Sequence, residues 1–379
     1  MKPSIKSRLI KSAFVASFLF ACVLGSSSLA ISKAPLDPVA STTPRGLPAR
    51  GPRSAVGTDT LGRRDWEPKR TWVFIVGILK WKDSETFKPF PQLNRRDAQL
   101  AEFFRGAGVP ANQLVFLRDE QATIRRVRTE FSEMLSQTRE GDFLFVYFTG
   151  HGYKSEDERE TLFATYDASE RVSGWSTRSI VRDINWGFHG SRVFLTADCC
   201  YSGALAQDAR SLNSEISYAC VTSATADEAS TENWTFTEML LASLRGTSYA
   251  DLNGDRKISL GELVENERRD MKFAEEQESS FASRGFPTDM VLAPATESSN
   301  PAIGRRVVVR SEGEMYKGRI IGARGSRYLV RYFGYDDSYD EWVSQRQIRG
   351  HTRRDETGVA EKWLLGRESS STSANSWGQ

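Results

Sequence analysis

Cysteine is the side chain here best suited to nucleophilic chemistry, and its placement is uneven. Of four cysteines, Cys22 sits in an apolar N-terminal stretch, while Cys199, Cys200 and Cys220 lie mid-chain, two of them adjacent. A thiol that attacks a carbonyl must become a thiolate, needs a base within hydrogen-bond reach, and needs donors aimed at the oxyanion that forms. Among the three histidines, His189 falls in a loop before a strand and His351 lies beyond the last β-rich segment. His151 alone follows a buried apolar strand, in Thr149-Gly150-His151-Gly152. Asp198-Cys199-Cys200-Tyr201-Ser202-Gly203 follows another such strand. Glycines on both loops let a substrate approach the backbone, and the amides of Cys200 and Gly152 are candidate oxyanion donors. The pattern points to a Cys/His pair carrying out acyl transfer.

A second cluster has the spacing of a calcium loop. Asp251, Asn253, Asp255, Lys257 (through its carbonyl), Ser259 and Glu262 fill the ligating positions of a twelve-residue EF-hand loop. Arg256 stands where glycine usually permits a left-handed turn, at a cost of about 1 kcal/mol or more. The alternative reading is an acidic turn that caps the helix beginning near Ser259.

The elements that must position these groups follow from periodicity. Residues 71–77, 113–117, 143–148, 192–197, 217–222 and 289–292 read as short strands of the buried type. Helical patterns at 92–107, 120–137, 235–245 and 260–274 fall between them. Alternation of strands and helices implies an α/β fold, a mostly parallel six-stranded sheet with helices on both faces. Function in such sheets collects at the carboxyl ends of the strands, which is where His151 and Cys200 stand. Residues 296–302 read as a polar linker, and 303–350 as short strands with Gly-containing turns, a small C-terminal SH3-like β-barrel.

Bulk properties set the context. The chain has 379 residues, 39% hydrophobic and 26% charged, and a net charge of +2, so no nucleic-acid partner is expected from overall charge. Lys2, Lys6, Arg8 and Lys11 precede an apolar run from Ala13 to Gly25, and small residues end at Ala30. That order is a signal peptide over 1–30 whose apolar run is too short to span a bilayer, so the protein is expected to be exported to the periplasm or beyond. Lipid attachment at Cys22 is a second possibility. Residues 31–69 form a Pro/Ser-rich leader and 351–379 a polar tail. An odd number of mature cysteines, two adjacent, argues against a disulfide scaffold.

The segment Tyr147-Phe148-Thr149-Gly150-His151-Gly152 resembles the histidine box of caspase and metacaspase peptidases, and Asp198 to Gly203 their cysteine box. The resemblance covers about 70–295 and includes Gly77, Asp97-Ala98, and Phe236-Thr237 ahead of a Leu-rich helix. It implies a cysteine endopeptidase with Cys200 as nucleophile, Cys199 as a packing residue and His151 as base, acting on protein or peptide substrates. Tyr201 stands where metacaspases commonly carry histidine. It also implies a pocket containing Asp97 and Asp198. Two carboxylates in one pocket repel unless a cation lies between them, so cleavage after Arg or Lys is expected. Ser176 and Thr177 stand where a metacaspase calcium site would carry an Asp pair, so no cofactor is expected to be required, with the Asp251 loop the one calcium candidate.

Two further expectations come from resemblance. Caspase-like enzymes are often cut between the cysteine strand and the next, which makes Arg210, in a polar connection at 204–216, the candidate self-cleavage site. The run Gly334-Tyr335-Asp336-Asp337-Ser338-Tyr339-Asp340-Glu341-Trp342 resembles Tudor/chromo barrels. With Tyr316, its aromatics Tyr335, Tyr339 and Trp342 could form a cation-binding cage or line a tiny barrel, and a peptide or polymer ligand is the expected partner. The competing function is a catalytically weak interaction protein that binds through this barrel.

Overall fold

The structure, a computed structural model, describes residues 64–298, 300–351 and a short strand at Leu364–Leu365. The N-terminal export segment with Cys22, the leader through residue 63 and most of the tail lie outside the described residues. In chain order the first elements are β1 (Thr71–Gly77), α1 (Arg96–Gly106), β2 (Leu114–Arg118), α2 (Ile124–Ser136), β3 (Phe143–Thr149), β4 (Gly152–Lys154), β5 (Thr161–Phe163) and β6 (Trp175–Ser176). There follow α3 (Thr177–Gly187), β7 (Arg192–Asp198), α4 (Gly203–Asp208), β8 (Ser217–Thr222), α5 (Thr235–Leu244), β9 (Lys257–Ser259) and α6 (Leu260–Asp270). A π-helical turn, Met271–Glu275, continues α6 into β10 (Ser280–Arg284) and β11 (Val291–Pro294).

The main sheet has six strands in the order β10-β8-β7-β3-β1-β2. All neighbours run parallel except β10, which pairs antiparallel with β8. β1 and β3 are buried along their whole length because both faces of the sheet are covered, as their unbroken apolar runs require. Alternate residues feed two cores. Phe74, Val76, Val146 and Leu195 face α2 and α3, and Val73, Ile75, Phe145 and Phe194 face α1, α5 and α6.

One expected strand is placed differently. Residues 289–292 were expected to be the sixth strand, but β11 pairs with β9 in a separate two-stranded sheet, and Ser280–Arg284 takes the edge. Phe281 and its neighbours alternate polar and apolar on a half-open edge, so they lack the continuous apolar run that marks the central strands. The connection at 204–216, expected to be a polar loop, is folded. It holds α4 and a turn at Ala209–Ser211, with Leu205, Ala209, Leu212 and Ile216 buried. Six residues of helix are too short to show a period.

Strands β12 (Arg306–Ser311), β13 (Glu314–Arg324), β14 (Arg327–Tyr332), β15 (Glu341–Ser344), β16 (Ile348–His351) and β17 (Leu364–Leu365) form an antiparallel sheet in the order β15-β14-β13-β12-β16-β17. It curls into a half-barrel around Val307, Val309, Ile320, Val330 and Val343. This unit docks on α6 and the π-turn. Asp270 receives Arg306 at 2.7 Å and also Arg319, all three side chains being buried. Phe273 meets Phe333 edge-on at 5.9 Å, Lys317 pairs with Glu276 at 3.0 Å, and Arg96 bridges Glu238 and Asp337.

Candidate active site

Register brings the two strand ends together. β3 pairs with β7 so that Thr149 lies opposite Asp198, which leaves His151 and Cys200 each two residues further along neighbouring parallel strands. The Thr149 hydroxyl donates to the Asp198 carbonyl at 3.2 Å. Gly152 makes the approach possible, since a Cβ there would sit 2.0 Å from the Cys200 carbonyl oxygen.

His151 is held in one tautomer. Its Nε2 is 2.8 Å from the Lys88 carbonyl, which can only accept, so Nε2 carries the proton of the neutral ring and Nδ1 keeps the free lone pair. Trp81 at 4.5 Å and Phe90 at 4.4 Å flank the ring. Burial there moves the imidazole pKa below its ordinary value, against the pull of the Lys88 carbonyl. The ring is neutral and partly desolvated.

Among the described residues Cys200 is the reachable thiol. Cys199 is 3% exposed and Cys220 is fully buried, and burial raises both thiols above their usual range. Cys200 is half-buried. Its Sγ accepts from the Ser230 amide at 3.2 Å and faces the Ser230 carbonyl at 3.7 Å. Burial raises this thiol too, partly offset by the Ser230 backbone. Thiol and imidazole are therefore both uncharged at rest. The segment 228–235 lies across the thiol like a strap. The Tyr201 amide donates to the Glu228 carbonyl at 2.8 Å, and Lys154 holds the Ala226 carbonyl at 2.6 Å while stacking over Tyr201. Tyr201 itself adopts φ 58°, a left-handed turn that swings the chain into α4.

Of the two carboxylates expected in one pocket, one has no basic partner among the described residues. Asp198 is 7% exposed and accepts from Thr237 Oγ1 at 2.6 Å. Burial lifts its pKa from 3.8 to about 6, opposed by the hydroxyls of Thr237 and Ser223. Asp97 does not share that pocket as a free carboxylate. Arg95 grips it at 2.6 Å and reaches Asp119 at 2.5 Å and the Gly77 carbonyl at 2.9 Å, all buried. Gly77 is required there, because a Cβ would meet Asp97 Oδ2 at 1.9 Å. Arg95 escaped the sequence reading because nothing in Asn94-Arg95-Arg96-Asp97 tells which arginine turns inward.

The remaining candidates resolve as follows. In the Asp251–Glu262 loop, Asp251 accepts the amides of Gly254 and Arg256, Asn253 that of Asp255, and Asp255 that of Lys257. Glu262 accepts from Leu252, Asn253 and Ser259, completing a capping box at the start of α6. Arg256 does take the left-handed conformation, at φ 67°. These bonds shape the loop that leads into α6. Among the described residues no group of three His, Cys, Asp or Glu side chains could hold a metal. Ser176 caps α3, Thr177 binds Asp208 at 2.7 Å, and Arg178 lies 3.8 Å from both Glu160 and Asp208. Arg210 is exposed but helical, with Asn185 clamping the Ser211 carbonyl at 3.0 Å, so a cut there would first need local unwinding. In the half-barrel, ring contacts join Tyr316, Tyr332, Tyr335 and Tyr339, and Trp342 lies over Gly322.

A neutral imidazole and a thiol stand beyond adjacent parallel strand ends, with a buried carboxylate two residues before the thiol. The caspase domain model matches residues 73–291, more than half of the chain, and the chain belongs to that family. It is thus a caspase-like domain of the cysteine peptidase type. Among solved structures it is similar to a protein of Geobacter sulfurreducens (13% identity, TM-score 0.43, covering 57% of this chain and 94% of that one). It is also similar to caspase-1 of Spodoptera frugiperda (14% identity, TM-score 0.39, covering 62% and 94%). No curated protein sequence matches it significantly.

Proposed function

We propose that this protein is an endopeptidase that cleaves after Arg or Lys through Cys200 and His151. The observation that carries the reading is Asp198, a buried carboxylate two residues before the thiol that no basic side chain among the described residues pairs with. A substrate guanidinium or ammonium is the cation it lacks. His151 Nδ1 takes the proton of Cys200 as Sγ adds to the scissile carbonyl, and the amides of Cys200 and Gly152 are available to the oxyanion. The imidazolium then protonates the leaving amine, and water, deprotonated by the same ring, hydrolyses the thioester. For this to proceed the Ser230 backbone must release Sγ, so the 228–235 strap opens as substrate enters.

Export through residues 1–30 remains part of this reading, as does a ligand-binding role for a Tudor-like half-barrel. Fluorogenic peptides that differ only in Arg, Lys or Asp at the cut site test the specificity. Turnover of the Arg and Lys peptides is expected, and a preference for Asp would overturn the assignment.

A further inference from the structure

The space around Asp198 contains a second acidic group that the motifs do not name. Glu275 is the last residue of the π-helical turn, and the extra residue in that turn aims it back at the first turn of α5. There Thr235 Oγ1 donates to Glu275 Oε1, and Asn233 Nδ2 donates to Oε2 at 2.9 Å. Two residues on, Thr237 donates to Asp198 at 2.6 Å. One turn of helix therefore holds both carboxylates in place by hydroxyl donors.

The same space connects to the thiol. Ser223 Oγ lies 3.2 Å from Ser230 Oγ, and the Ser230 amide lies 3.2 Å from Cys200 Sγ. Gln277, just beyond the π-turn, binds the Ser223 carbonyl at 3.2 Å and the Thr231 amide at 3.3 Å. Hydrogen bonds thus tie Ser223, Thr231 and the segment after Glu275 to the backbone that touches Cys200.

Charge decides what the two carboxylates can receive. The acidic neighbours of Glu275 are neutralised: Glu276 pairs with Lys317 at 3.0 Å and Glu278 with Lys272 at 2.6 Å. Asp97 is neutralised by Arg95. No lysine or arginine among the described residues forms an ion pair with Glu275 or Asp198, and the Glu275 charge adds to the influences that hold the Asp198 proton on. Asp198 is buried and Glu275 is half-exposed, which suits a floor and a rim.

We infer that Glu275 is a specificity-determining residue that receives, together with Asp198, the cationic side chain of the substrate. The inference rests on the Arg/Lys reading above and names the second group of that pocket. A guanidinium presents donors along two edges and can address both carboxylates at once, whereas an ammonium is a single point, so Arg is preferred to Lys.

The test uses the full-length protein and peptides that differ only in Arg, Lys or citrulline, the neutral isostere of Arg, at the cut site. Glu275→Gln keeps the size of the side chain and removes its charge. It is expected to lower kcat/KM for the Arg peptide by about tenfold or more, the worth of a hydrogen bond to a charged group. Citrulline turnover should change little, so the Arg/citrulline ratio collapses. Glu276→Gln, at a carboxylate already paired with Lys317, should leave that ratio unchanged. If Glu275→Gln lowers both peptides equally, Glu275 only supports the fold and the inference is wrong. If the wild-type protein itself does not favour Arg over citrulline, the failure lies in the Arg/Lys reading.

Discussion

Asp198→Asn is expected to stabilise the fold at neutral pH while removing the preference for a cationic substrate. The carboxyl is buried, and burial raises its pKa from 3.8 to about 6 despite the Thr237 and Ser223 hydroxyls. A folded-state pKa above the unfolded one means that the folded protein binds this proton more tightly. Stability from this group is therefore present below pH 4 and is lost as pH rises through about 6. Moving a carboxyl from 3.8 to about 6 amounts to about 3 kcal/mol of destabilisation at neutral pH. Asparagine has the same shape, can still accept from Thr237, and carries no charge to desolvate. Urea unfolding of wild type and Asp198→Asn at pH 4 and pH 7.5 measures the difference. The advantage of the variant should be about 3 kcal/mol larger at the higher pH, equivalent to about 6–12 °C in Tm for a domain of this size. A gap between the two proteins that is the same at both pH values would refute the reasoning, because it would mean that Asp198 is not strained by its charge.

Two other outcomes follow from the packing. Asp270→Asn should cost about 3–5 kcal/mol by denaturant titration, because it strands Arg306 and Arg319 at the buried junction of α6 and the half-barrel; a loss below about 1 kcal/mol would contradict the role given to this junction. Turnover should not depend on calcium when titrated against a chelator, since Thr177 binds Asp208 and Arg178 lies 3.8 Å from both Glu160 and Asp208, where an activating site would stand; a calcium-dependent rise in turnover would contradict this.

What the sequence disclosed and what it concealed divide along physical lines. β1, β3 and β7 were legible because strands buried on both faces must be apolar throughout, and the loops that leave them carry His151 and Cys200 with their glycines. The edge strand β10 and the short helix α4 were missed, one for being half-solvated and the other for being too short to show a period. The surroundings of the two expected carboxylates were half legible. Asp198 is fixed by its distance from Cys200 along one strand, whereas the pairing of Asp97 with Arg95 depends on which way two adjacent arginines turn. Glu275 lies 75 positions beyond Cys200 and is aimed by a π-turn for which the pattern of α6 holds no sign. Ser223 was within reach of the sequence, since it follows β8 at the carboxyl edge of the same sheet, where the same rule directs attention.

The central claim is that Cys200 and His151 act as one unit on a peptide bond. The most direct test is kcat/KM of the full-length protein on an Arg-ending fluorogenic peptide, measured beside Cys200→Ala and His151→Ala. Each substitution is expected to remove nearly all turnover, and the double variant to be no worse than either alone. Activity near the wild-type level in either single variant would contradict the account.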